Sequence, residues 1–159
     1  MPTDADLAPV APRDHRILLV GGSGYIGSYL APRLRAKGYP VDVCDLGWRG
    51  HPEGPPAHYC NYASLTRDQL RGYASLVWFA GHSSVAMAMA DPLEALRNNC
   101  TDLTALCERL TPGTRLIYAS TASLYSSFDG GEPPLSSEDD LILANGNAYD
   151  ISKFCFDYI

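Results

Sequence analysis

The sequence predicts an α/β fold with a doubly wound parallel sheet of about five strands, and three observations predict it. Short runs such as Ile17–Val20 and Leu76–Ala80 are continuously apolar, as strands buried on both faces are. Segments with helical spacing of apolar residues separate them. A glycine cluster, Gly21-Gly22-Ser23-Gly24-Tyr25-Ile26-Gly27, follows the first run directly. Strands alternating with helices at this spacing imply right-handed βαβ units, and so a parallel sheet covered on both sides.

Residues 1–14 contain Pro2, Pro9 and Pro12 and no apolar period, which predicts a flexible N-terminal arm ahead of a domain over residues 15–159. Arg16–Val20 is the first strand. Tyr25–Lys37 has Ile26, Tyr29, Leu30 and Leu34 at helical spacing and Gly38 as its stop. Pro32 inside that helix removes a backbone bond, at a cost of about 3 kcal/mol in a regular interior, and predicts a kink. Val41–Asp45 is a second strand, and Gly47–Pro56 a surface loop. Ala57–Cys60 is a weakly signalled third strand, Leu65–Tyr73 a short helix and Leu76–Ala80 a buried strand. Pro92–Leu110 is a long helix with Leu93, Leu96, Cys100, Leu103 and Leu106 or Cys107 on one face. Arg115–Ala119 is the fifth strand.

Composition excludes several classes. The chain has 159 residues, 46% hydrophobic, with 12 Lys plus Arg against 18 Asp plus Glu and a net charge of −6. Such a surface lacks the basic stripe that nucleic acid requires. No run reaches the roughly 20 apolar residues of a membrane span or the core of a signal peptide, so no membrane partner is expected. The five cysteines form no Cys-x-x-Cys pair and no clustered His accompanies them, which predicts free thiols, a cytoplasmic setting and no metal site.

The glycines carry the first functional signal. In Gly21-x-x-Gly24-x-x-Gly27, between a buried strand and a helix, the first glycine permits a tight turn and the second lets backbone approach a pyrophosphate. The third lets the helix pack on the strand. Free N–H groups and the positive helix end then face the phosphates, with Tyr25 and Ile26 supplying backbone donors. Asp45, at the end of the second strand, places a carboxylate where both hydroxyls of an adenosine ribose can bond to it. That charge repels a 2′-phosphate, which favours NAD over NADP, although Arg49 lies close by in the sequence. Without a ligand the same glycines would be an ordinary strand-to-helix turn.

Tyr149 and Lys153 are four residues apart, one turn apart on one helix face. A cation there favours phenolate and makes the phenol a useful proton acceptor. The Tyr-x-x-x-Lys spacing is common on surface helices; the hydroxyls Ser120, Thr121 and Ser123 after strand five give it context, because open α/β sheets bind ligands beyond the carboxyl ends of their strands. Thr121 is then placed to hold a substrate oxygen.

With these motifs the chain resembles the extended short-chain dehydrogenase/reductase family, in its NAD-dependent epimerase/dehydratase branch, from about Arg16 onward. The matching positions are Gly21, Gly24 and Gly27, Asp45, the turn Phe79-Ala80-Gly81-His82, Asn99, the run Ser120–Tyr125, and Tyr149 with Lys153. The resemblance implies a Rossmann-like fold, NAD as cofactor and a nucleotide sugar as substrate. Hydride would pass between nicotinamide and a hydroxyl-bearing carbon, as in a sugar-nucleotide epimerase. Tyr149 would be the acid/base, Lys153 would hold the nicotinamide ribose and tune Tyr149, and Thr121 would orient the reacting oxygen. Phe79, Ala80, Gly81 and Asn99 would line the cofactor, and Asn61 would stand where the family often has an adenine-contacting Asp. Family 4,6-dehydratases usually follow the Thr with Asp-Glu; Ala122-Ser123 here disfavour dehydration.

Other residues have plainer expectations. His82 lacks a placed carboxylate and is expected to be a loop residue, Trp78 and Tyr118 to be core, and Glu138-Asp139-Asp140 to be a solvated segment. Family members run about twice as far, so the later strands and the substrate lobe are expected to be absent, leaving strand five as an edge. The family's habit of pairing through the helices of Asn99 and Tyr149 implies a homodimer. A non-catalytic NAD(P)-binding module and an inactive truncated relative are the competing functions.

Overall fold

The computed structural model describes residues 15–48, 50, 57–125 and 146–158. The expected arm over 1–14, Arg49 with most of the loop 47–56, and Glu138-Asp139-Asp140 lie outside these. The chain divides into two compact units, one of residues 1–80 and 109–118, the other of residues 81–108 and 119–159.

The first unit holds the sheet: β1 (Ile17–Val20), β2 (Val41–Asp45), β3 (His58–Tyr59), β4 (Ser75–Trp78) and β5 (Arg115–Tyr118). All pairings are parallel, in the order β3-β2-β1-β4-β5. Strand order therefore reverses at β1, whose neighbours are β2 on one side and β4 on the other. That reversal marks the crevice where doubly wound sheets bind ligands.

Helix α1 (Tyr25–Ala36) packs on one face, where Ile17, Leu19, Val41, Val43 and Val77 meet Ala31, with Leu30 and Leu34 half-buried against them. Leu18, Val20, Leu76 and Trp78 on the other face are also buried, which explains why these strands are apolar without alternation. The expected core residues Ile26 and Tyr29 are instead exposed. The fully buried positions of α1 are the small residues Gly27 and Ala31, with Leu30 and Leu34 at their flank and Ile26 and Tyr29 turned outward.

The helix expected over Leu65–Tyr73 is shorter, α2 (Arg67–Leu70), closed by a Thr66/Gln69 capping box. Trp78 and Tyr118 do pack together, with ring centroids 5.6 Å apart.

The second unit is helical: α3 (Val85–Ala90), α4 (Pro92–Leu96), one wider π-type turn (Arg97–Thr101), α5 (Asp102–Cys107) and α6 (Ala148–Asp157). Sequence periodicity missed α3, which is capped by Ser84 and stops at Asp91, the cap of α4. The long helix ends at Cys107, and its buried face keeps the expected Cys100, Leu103 and Leu106 but not Leu93 and Leu96. Leu93 is 77% exposed, whereas Ala95, Asn99, Leu103 and Leu106 are 0% exposed. The inserted π turn shifts the register, and Ala95 and Asn99 carry too little apolar signal to announce it.

Candidate functional site

In the first unit the glycines of the turn after β1 answer to different constraints. Gly21 has φ +82°, and a Cβ there would lie 2.6 Å from Ala80 N and 2.8 Å from Phe79 C. Gly27 would put its Cβ 2.5 Å from Gly22 Cα and 2.6 Å from Gly21 O, so helix and turn touch backbone to backbone. Gly24 is different: a Cβ would meet only Gly21 O, at 3.2 Å. Gly24 is the N-cap of α1 and supplies no side-chain cap, which leaves the first-turn N–H donors, including those of Tyr25 and Ile26, to an external acceptor. Gly22, which the glycine spacing does not include, is equally constrained, since its Cβ would sit 2.7 Å from Val43 Cγ1. The Gly21-Gly22 doublet was its one sequence signal.

Asp45 ties this turn to β2. Its Oδ2 accepts from Ser23 N–H at 2.9 Å and its Oδ1 from Gly47 N–H at 2.7 Å. Each carboxylate oxygen retains a lone pair, so two hydroxyl donors can still be received. Asn61 caps a short 3₁₀ turn, accepting at Oδ1 from Ala63 N–H at 2.9 Å, which leaves its Nδ2 as the donor. Phe79 packs on the core cluster beside Gly21. Cradle, paired N–H donors and acid therefore fit a pyrophosphate joined to a ribose.

The second unit contains Gly81, Asn99, Thr121, Tyr149 and Lys153. Asn99 is fully buried and its amide is committed to the chain. Oδ1 accepts from His82 N–H at 2.9 Å, while Nδ2 donates to His82 O at 2.9 Å and to Ser152 Oγ at 3.0 Å. Asn99 thus holds the Gly81-His82 turn through both backbone groups of His82.

Helix α6 is sewn to residues 119–123 along its length. Ser123 donates to Asp150, Lys153 Nζ donates to Ala119 O at 2.9 Å, and Ser120 Oγ donates to Asp157 Oδ2 at 2.5 Å. This segment carries Thr121. Lys153 is 4% exposed and its Nζ lies 5.9 Å from the Tyr149 ring centre. Burial, opposed in part by Asp157, lowers Lys153 to about 8. The ammonium is therefore the main form at neutral pH, held without bulk water beside a phenol.

A family model described as the NAD dependent epimerase/dehydratase family matches residues 17–159. The chain belongs to the NAD dependent epimerase/dehydratase family. It is 30% identical over 152 residues to a UDP-glucose 4-epimerase of Corynebacterium glutamicum, covering 90% of this chain and 45% of that protein. Among solved structures it is similar to MoeE5 in complex with UDP-glucose and NAD, with a TM-score of 0.73 and 28% identity over 90% of this chain and 47% of the other. It is also similar to TunA, an NAD dependent NDP-hexosamine 5,6-dehydratase, with a TM-score of 0.71 and 30% identity over 91% of this chain and 48% of that one. The chain spans about half the length of the family members it matches. Among the described residues no helix is long and apolar enough to cross a membrane, and no cluster of His, Cys, Asp and Glu could hold a metal.

Lys153 sets a pH test. Its pKa in the fold is about 8 against an ordinary 10.5, so both folded and unfolded states are protonated below pH 8 and the fold carries the cost of a buried charge. Between about pH 8 and 10.5 the folded state binds fewer protons, and this contribution to stability rises with pH. Lys153→Met is expected to be more stable than the parent at pH 7, by up to about 3 kcal/mol. The gap should close as pH rises through that window in thermal melts, and a gap independent of pH would contradict the burial cost.

Proposed function

We propose that this chain binds NAD and is an epimerase-type oxidoreductase acting on a nucleotide sugar. The observation that carries the reading is Lys153, buried within one turn of Tyr149 on a helix fastened to the segment of Thr121. NAD, when bound, supplies the hydride acceptor and donor.

The chain's own residues do the rest. The N–H groups of Tyr25 and Ile26 at the N-terminus of α1 face the pyrophosphate, and Gly24 leaves it room. Asp45 accepts from the adenosine ribose hydroxyls and repels a 2′-phosphate, while Asn61 Nδ2 donates to adenine. Phe79, Ala80 and Gly81 line the cofactor, and Asn99 contributes by holding the turn after β4. Tyr149 takes the proton from the sugar hydroxyl and returns it, Lys153 binds the nicotinamide ribose and stabilises the phenolate, and Thr121 orients the reacting oxygen.

The similarity to a UDP-glucose 4-epimerase and to a UDP-glucose complex supports a UDP-hexose as the first substrate to try. Exposed Leu93 and Leu96 on α4 and Ile151 on α6 support a homodimer through these helices. Light scattering on the chain and on Leu93→Asp should show two copies becoming one, and a monomeric parent would remove this part.

The test of the main reading is calorimetric titration with NAD and with NADP, followed by UDP-glucose turnover. Saturable NAD binding, at least about tenfold tighter than NADP and weakened by Asp45→Ala, is expected. Binding without turnover on any UDP-hexose would favour a non-catalytic module. No binding of either dinucleotide would overturn the reading for this chain.

A further inference from the structure

Asp150 has no part in the proton transfer described above, yet it is a carboxylate only 7% exposed. It shares a reciprocal cap with Asn147: its N–H donates to Asn147 Oδ1 at 3.0 Å, and Asn147 Nδ2 donates to its Oδ2 at 2.5 Å. Its other oxygen, Oδ1, accepts from Ser123 Oγ. A hydroxyl has one proton to give. With the Ser123 proton committed to Asp150, the 2.8 Å contact between Thr121 Oγ1 and Ser123 Oγ has a single polarity, and Thr121 is its donor. Thr121 Oγ1 also accepts from Ser123 N–H at 3.3 Å. The hydroxyl of Thr121 is left with one lone pair and no proton to offer.

We propose that Asp150 is a positioning residue that acts through Ser123 to turn the Thr121 proton inward, presenting the Thr121 oxygen as a pure acceptor for a substrate hydroxyl. The place of Thr121 at the substrate rests on the proposed function; its orientation does not. An acceptor receives an alcohol and cannot stabilise a carbonyl, so the form of the sugar that Thr121 selects is the one still carrying its hydroxyl. A donor to the carbonyl form must then be Tyr149. The carboxylate matters because charged acceptors bind protons about twice as strongly as neutral ones, and because it has no N–H with which to reverse the chain.

Ser123→Ala is the informative variant, since it cuts the link and leaves the Asn147–Asp150 cap whole. Three-bond couplings to the Thr121 methyl, measured by NMR in the full chain, report its side-chain rotamer without needing any ligand. One rotamer is expected in the parent, with averaging in both Ser123→Ala and Asp150→Asn, while the amide shifts of the Asn147 cap and the rest of α6 in Ser123→Ala stay near the parent's values. An averaged Thr121 in the parent, or a fixed one in Ser123→Ala, overturns the proposal. In NAD-saturated protein, UDP-glucose affinity should fall about tenfold in Ser123→Ala, with NAD affinity unchanged. An unchanged UDP-glucose affinity overturns the acceptor role. A fixed parental Thr121 in a chain that binds no UDP-glucose supports the positioning by Asp150 and overturns UDP-glucose as the ligand that Thr121 receives.

Discussion

Tyr149→Phe should lower the single-turnover rate of nicotinamide reduction by a UDP-hexose about 10²- to 10⁴-fold, the usual worth of a positioned acid or base. The substitution removes one oxygen and leaves the ring beside Lys153, 5.9 Å from Nζ in the parent. The side-chain hydrogen bonds that fasten α6 come from Asp150, Ser152, Lys153 and Asp157 rather than from the Tyr149 hydroxyl. The melting temperature and NAD affinity should therefore stay near the parent's, and the loss should fall on the chemical step. Because the ammonium of Lys153 is present below about pH 8, the parent's rate should decline above that pH as the cation supporting the phenolate is lost. A rate in Tyr149→Phe within about threefold of the parent would remove the mechanism while leaving dinucleotide binding intact.

Gly27→Val should have the largest effect on the fold. The added carbons would meet Gly22 Cα, Gly21 O and Gly22 C at 2.5, 2.6 and 2.7 Å, all backbone atoms that cannot rotate away. To relieve them α1 must lift from the turn, opening the Ile17, Leu19, Ala31, Val41, Val43 and Val77 cluster beneath it. A loss of about 3 kcal/mol or more is expected, about 10 °C in melting temperature for a chain of this size. Gly24→Ala is the contrast. Its Cβ has ordinary backbone geometry and a single near contact, so the melting temperature should hold while NAD affinity falls, because the methyl stands before the α1 donors. Equal destabilisation by both variants would mean that Gly24, too, is present for packing rather than for a phosphate.

The central strands β1 and β4 were legible because burial on both faces leaves a plain apolar run, and they lie within a residue or two of where they were expected; β2 is found over the residues expected, and β5, with Ile117 exposed, ends one residue early. Helix faces were less so. On α1 the buried residues are Gly27 and Ala31, and on the α4–α5 stretch Ala95 and Asn99 join the expected Cys100, Leu103 and Leu106. Small or polar residues such as Gly27, Ala31, Ala95 and Asn99 leave no hydrophobic periodicity, while Ile26, Tyr29 and Leu93 are apolar yet exposed.

What the sequence determined by itself was the parallel α/β architecture, the glycine turn with its acid, and the Tyr149–Lys153 pair, because each is written in local spacing. Only the tertiary structure decided how those groups are held. The Asp45 bonds to Ser23 and Gly47, the Asn99 clasp on His82, the burial that brings Lys153 to about 8 and the Asp150–Ser123–Thr121 chain mostly join residues far apart along the polypeptide. Their hydrogen bonds and desolvation exist only once packing has removed water and brought the partners together.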